Sequence, residues 1–128
     1  MKNVAFTGFV DGKVKREILS RAQFLIFPSE CFESFGYSII ESHACGVPVI
    51  ASAIGGAKEL ILEGENGFLF EPGNPDDLRE KISRILAMDK KSLMEMREKS
   101  LKRVKELYTE EIGYNNLLEL FEKLAEPG

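Results

Sequence analysis

The 128-residue sequence contains no tryptophan, one histidine and two cysteines. Two thiols, Cys31 and Cys45, with no further pattern cannot form the disulfide framework that staples small secreted domains. Cys31, His43 and Cys45 match no zinc spacing and have no evident fourth ligand, so no metal site is expected. Long apolar runs are also missing, which excludes a transmembrane helix. Met1-Lys2-Asn3-Val4-Ala5-Phe6 has no apolar stretch leading to a small-residue cleavage site, so the expectation is a cytoplasmic protein without a secretory leader. Positive charge is not in excess either. With 17 Lys and Arg against 21 Asp and Glu, the net charge is −4, the wrong sign for neutralising nucleic-acid phosphates.

What remains is a sequence that is 44% hydrophobic, enough to pack a core, and of a length that suits one domain over residues 1–128. Short apolar runs at Asn3–Gly8, Phe24–Phe27, Val49–Ala51 and Phe68–Phe70 lack alternation and predict strands covered on both faces. Between them lie helical stretches at Lys13–Arg21, with Asp11 as a cap, at Ser34–Ala44, stopped by Gly46, and at Ala57–Leu62. Asn74-Pro75-Asp76-Asp77 opens a further helix with a cap, a proline in the first turn and two acids at the positive end of the dipole. Lys90–Leu107 and Glu110–Ala125 predict two more helices. This alternation implies an α/β fold, a Rossmann-like parallel sheet of about four short strands flanked by helices, with a helical C-terminal tail. Four strands are few for a doubly wound sheet, and the chain enters a strand almost at once. An N-terminally incomplete domain is therefore expected.

Ligands of such sheets sit beyond the carboxyl ends of the strands. The loop Pro28–Gly36 follows a strand and opens a helix there. A helix start offers unpaired N–H groups and partial positive charge to a phosphate, Gly36 would allow close approach to the main chain, and Ser34 adds a hydroxyl. Glu41, farther along the helix, could accept two hydrogen bonds from vicinal hydroxyls, and Glu33 precedes the helix. The two acids are eight positions apart, roughly 12 Å along an ideal helix, farther than the pairs of glycoside hydrolases at about 5–9.5 Å. Taken alone, these residues establish only a candidate phosphate-binding α/β domain, and on residue type two solvated acids on a helix are the more ordinary reading.

The ordered blocks Phe27-Pro28-Ser29, Glu33-Ser34-Phe35-Gly36, Glu41, Gly46-Val47-Pro48-Val49-Ile50-Ala51-Ser52, Gly55-Gly56, Glu59 and Gly64-x-x-Gly67 resemble the family 4 (group 1) glycosyltransferases. Glu33 and Glu41 fill that family's E-x7-E element. The resemblance implies the C-terminal, donor-binding half of a GT-B enzyme that retains anomeric configuration, uses a nucleotide-diphosphate sugar and needs no metal or cofactor. It further implies Glu41 on the ribose hydroxyls and Glu33 on the donor sugar at the reacting centre, as the catalytic residue. Ser34, Phe35, Gly36 and Tyr37 would face the diphosphate or sugar, and Val10 in the loop after the first strand would lie near the nucleobase. The family's diphosphate-neutralising Arg and Lys, and its acceptor domain, have no counterpart in this sequence. Without a partner domain or subunit the chain is expected to turn over poorly or not at all. A regulatory nucleotide-sugar-binding module and an epimerase of similar architecture are the alternative readings.

His43 is two positions from Glu41 and need not share its helix face, so a structural or solvated role is expected for it. The basic residues of Lys90–Leu107 are interleaved with Asp89, Glu95, Glu98 and Glu106, which favours a solvated, salt-bridged face over a membrane patch, although the full enzyme could associate peripherally with a membrane. Leu117, Leu118, Leu120, Phe121 and Leu124 cluster in the final helix and would invite homodimerisation where exposed.

Overall fold

A computed structural model describes residues 3–31 and 36–107. The elements run α1 (Gly12–Arg21), β1 (Leu25–Phe27), α2 (Tyr37–Ala44), β2 (Val49–Ser52), α3 (Ala57–Leu60), β3 (Gly67–Phe70), α4 (Pro75–Ala87) and α5 (Lys90–Leu107). The three strands form a parallel sheet in the order β1-β2-β3. Val49 aligns with Leu25 on one side and Gly67 on the other.

Strand β2 is buried along its whole length, as a central strand covered on both faces must be. Its side chains alternate between two cores with the period-two geometry of a strand. Val49 and Ala51 join Ile39 of α2 and Ala57, Leu60 and Ile61 of the α3 region on one face. Ile50 joins Phe68 and Phe70 of β3, Ile85 of α4 and Met96 of α5 on the other. Helix α5 then runs on to pack against α2.

Helix boundaries follow the local chemistry. Asn74 caps α4 with its side-chain oxygen accepting from the Asp77 N–H at 3.1 Å, and Pro75 and the two acids occupy the first turn. Helix α2 ends in a Schellman motif: the Val47 N–H donates to the Ser42 carbonyl and the Gly46 N–H to the His43 carbonyl, with Gly46 at φ 69°. Asp11 precedes α1 but makes no side-chain cap bond, contrary to the expectation.

The strand expected at Asn3–Gly8 is not formed, so the sheet has three strands rather than four among the described residues. Val4 is 52% exposed, Phe6 91% and Phe9 92%. A strand exists only through its neighbours. In the doubly wound order 3-2-1-4-5-6, three consecutive strands running outward in chain order form one half. Asn3–Gly8 pairs with none of the described strands. The predicted start of α2 at Ser34 and the helix at Glu110–Ala125, with its dimerisation surface, lie outside the described residues.

Candidate functional site at the carboxyl ends of the strands

Parallel strands place their carboxyl ends, Phe27, Ser52 and Phe70, on one rim of the sheet. The rim is tied together laterally: the Ser52 hydroxyl donates to the Phe27 carbonyl at 3.5 Å, and the Ala53 N–H to the Phe70 carbonyl at 2.8 Å. A Cβ on Gly73 would stand 3.7 Å from Glu30 Oε1, so the loops after β1 and β3 meet above β2. The Ser29 hydroxyl and the Cys31 backbone bond to each other and turn the first of these loops.

Gly36 stands where α2 begins, in the left-handed conformation at φ 61°. A Cβ there would lie 3.1 Å from Leu60 Cδ1 and 3.3 Å from Ile39 Cδ1. The left-handed backbone and the close packing of Leu60 and Ile39 both favour glycine at this position. Tyr37 follows it with 67% of its surface exposed, and Val10 precedes α1 half-buried. Glu33, Ser34 and Phe35 lie outside the described residues.

Glu41 is one turn into α2, with 44% of its side chain exposed. Its Oε2 is 2.5 Å from Nζ of Lys15 on α1. A carboxylate with one oxygen held by an ammonium keeps its other oxygen as an acceptor for hydroxyl donors.

His43 is only 2% exposed, on the structural side of the expectation. Its Nε2 lies 3.1 Å from the Asn66 carbonyl. Burial pushes its pKa down from 6.5 to about 4, with the hydrogen bond to Asn66 opposing the shift and the Arg103 charge assisting it. Among the described residues no group of three or more His, Cys, Asp or Glu could hold a metal ion. Cys31 and Cys45 are free thiols.

Asn66, unremarked in the sequence as part of a Gly-rich turn, is 1% exposed and bonded on every side. Its Nδ2 donates to the Leu60 carbonyl at 3.0 Å and its Oδ1 accepts from the Leu62 N–H at 2.8 Å. Its own carbonyl accepts from the first residue of β2, Val49, as well as facing His43. Next to it, a Cβ on Gly67 would collide with the Val49 carbonyl, so β2 and β3 can approach only with glycine there. A cavity of about 230 Å³ lined by Leu62, Asn66, Lys99 and Arg103 opens beside this cluster. It lies at the amino ends of the strands, opposite the rim that bears Ser52 and Phe70, and does not coincide with the E-x7-E helix.

The three-stranded parallel sheet and its flanking helices define a Rossmann-like α/β domain. The profile of the group 1 glycosyl transferases matches residues 1–103, and the chain belongs to that family. Sucrose synthase of Melioribacter roseus is 34% identical over 112 residues, which are 85% of this chain and 14% of that protein. The solved sucrose-phosphate synthase of Thermosynechococcus elongatus superposes with a TM-score of 0.84 at 33% identity, over 96% of this chain and 30% of that one. Anabaena HepE, solved in complex with UDP-glucose, gives a TM-score of 0.74 at 25% identity, over 84% of this chain and 29% of that one. The chain spans 19%, 21% and 14% of the first curated relatives it matches. No helix among the described residues is long and apolar enough to cross a membrane.

Proposed function

We propose that this chain is the donor-binding part of a retaining, metal-independent glycosyltransferase that moves a sugar from a nucleotide-diphosphate sugar to a glycan or lipid-linked acceptor. The observation that carries the proposal is Glu41, half-exposed on the helix that Gly36 starts beside the carboxyl ends of a parallel sheet. In this reading Glu41 accepts from the ribose hydroxyls, and Glu33 contacts the donor sugar near the reacting centre. Ser34, Phe35, Gly36 and Tyr37 lie along the diphosphate and sugar, and the loop at Val10 borders the nucleobase. The HepE complexes support the ligand class, since a related fold is solved with UDP and with UDP-glucose. The family's Arg and Lys that offset leaving-group charge have no counterpart among these 128 residues. Loss of such stabilisation costs orders of magnitude in rate, so the chain alone turns over little.

Calorimetric titration with UDP, GDP and ADP tests the reading directly. One of the three is expected to bind, and Glu41→Gln is expected to weaken it about tenfold or more, because a hydrogen bond to a charged group is lost. Binding of none, or equal binding by Glu41→Gln, refutes it.

A further inference from the structure

The structure assigns Lys15 a place in the donor site: we propose that it is a positioning residue, holding the Glu41 carboxylate in the orientation that meets the ribose hydroxyls. The inference rests on reading Glu41 as the ribose ligand. The other four ion pairs among the described residues each join residues no more than four apart on α4 or α5. Among the described residues, Lys15–Glu41 is the ion pair that crosses from one element to another.

Helix α1 needs such a tie. Its one buried residue is Leu19, near its carboxyl end, where Arg97 Nη1 also donates to the Ala22 carbonyl at 3.4 Å. Its amino half has an uncapped start after Asp11 and an exposed Val14. Glycines at φ 65° and φ 53°, Gly8 and Gly12, bracket the loop that leads into it. With so little burial there, the Lys15 contact is a polar link between this half of α1 and α2.

The same contact orients Glu41. An ammonium on Oε2 selects one rotamer of a flexible side chain and leaves Oε1 available for a vicinal diol. Both partners are substantially solvated, 34% and 44% exposed, and pairs of that kind add little to folding stability. The effect of the pair therefore falls on selectivity for the sugar of the nucleotide.

The experiment is calorimetry on the whole chain with UDP, GDP and ADP and their 2′-deoxy counterparts. It compares the native chain, Lys15→Met, Lys15→Gln, Lys15→Arg and Glu41→Gln, with thermal melts of each. The native chain is expected to prefer the ribonucleotide about tenfold or more. Lys15→Met and Lys15→Gln should weaken the ribonucleotide about two- to fivefold, the scale of a solvated ion pair, and leave the deoxynucleotide unchanged. Lys15→Arg should restore the preference, and melting temperatures should barely move. Lys15→Gln stands in should the methionine variant fail to fold. Full ribose preference in both neutral variants, alongside its loss in Glu41→Gln, overturns the role of Lys15 and leaves the donor site standing. Equal weakening of both sugars also overturns it, by placing Lys15 on the phosphate or base. Ribose preference surviving in Glu41→Gln, or no nucleotide binding by the native chain, removes the reading of Glu41 and this inference with it.

Discussion

Replacing Asn66 with alanine deletes two side-chain hydrogen bonds from a site that is 1% exposed. The Leu60 carbonyl loses its Nδ2 donor at 3.0 Å, and the Leu62 N–H loses its Oδ1 acceptor at 2.8 Å. An orphaned buried polar group costs about 1–3 kcal/mol, and the partly buried Leu62 N–H recovers some of this from water, giving a total of about 2–4 kcal/mol. That is a large part of the ~5–15 kcal/mol that holds a typical domain folded. Urea denaturation followed by far-UV circular dichroism reads it as a midpoint lowered by on the order of 2 M, with an unchanged slope. Asn66→Asp keeps the acceptor but turns a buried carboxylate toward the Leu60 carbonyl, and should be at least as destabilised at neutral pH. A loss below about 1 kcal/mol in Asn66→Ala would refute the view that this side chain organises the turn before β3.

Two further outcomes follow from the same region. Burial favours neutral His43, so between its ordinary pKa of 6.5 and its folded value of about 4 the unfolded chain binds the extra proton. The contribution is complete above pH 6.5 and is lost as pH falls toward 4, by up to roughly 3 kcal/mol. Urea midpoints across that range should show this slope in the native chain but not in His43→Gln, and parallel curves would refute it. Gly67→Ala should fail to give soluble folded protein, or lose more than about 3 kcal/mol, because its Cβ meets the Val49 carbonyl. A melting temperature within ~2 °C of the native value would show that β2 and β3 can separate to admit it.

The legible parts of the fold are those whose signals are local. Asn74-Pro75-Asp76-Asp77 opens α4 by side-chain capping and φ restriction, and the cap bond to Asp77 is present. Gly46 ends α2, because a left-handed residue was needed to turn the chain into Val47. The apolar runs at Phe24–Phe27, Val49–Ala51 and Phe68–Phe70 each contain or fall within an observed strand. Asn3–Gly8 has the same composition without the outcome, because strand formation depends on a lateral partner and composition is silent about partners. The ordered blocks around Glu33 and Glu41 carry the resemblance to the family whose profile matches residues 1–103. The Lys15 contact was not legible, since Glu41 lies 26 positions further on, past a strand. Asn66 was missed for another reason. In Glu63-Gly64-Glu65-Asn66-Gly67 it has the composition of an exposed turn, and only the closure of that turn over Leu60 and His43 buries it.

The Asn66–His43 cluster bears on how such a domain can change. It grips the amino ends of β2 and β3, whereas the segments that begin at Pro28, Ala53 and Glu71 leave from the carboxyl ends of β1, β2 and β3. Insertions or exchanges in those loops do not have to be negotiated with the part of the sheet that carries the most tightly satisfied polar groups. On the proposed donor-binding reading, the scaffold can be re-specified for another base or sugar by editing one rim while the other keeps it folded, so that mutational tolerance and ligand choice are drawn from the same set of residues.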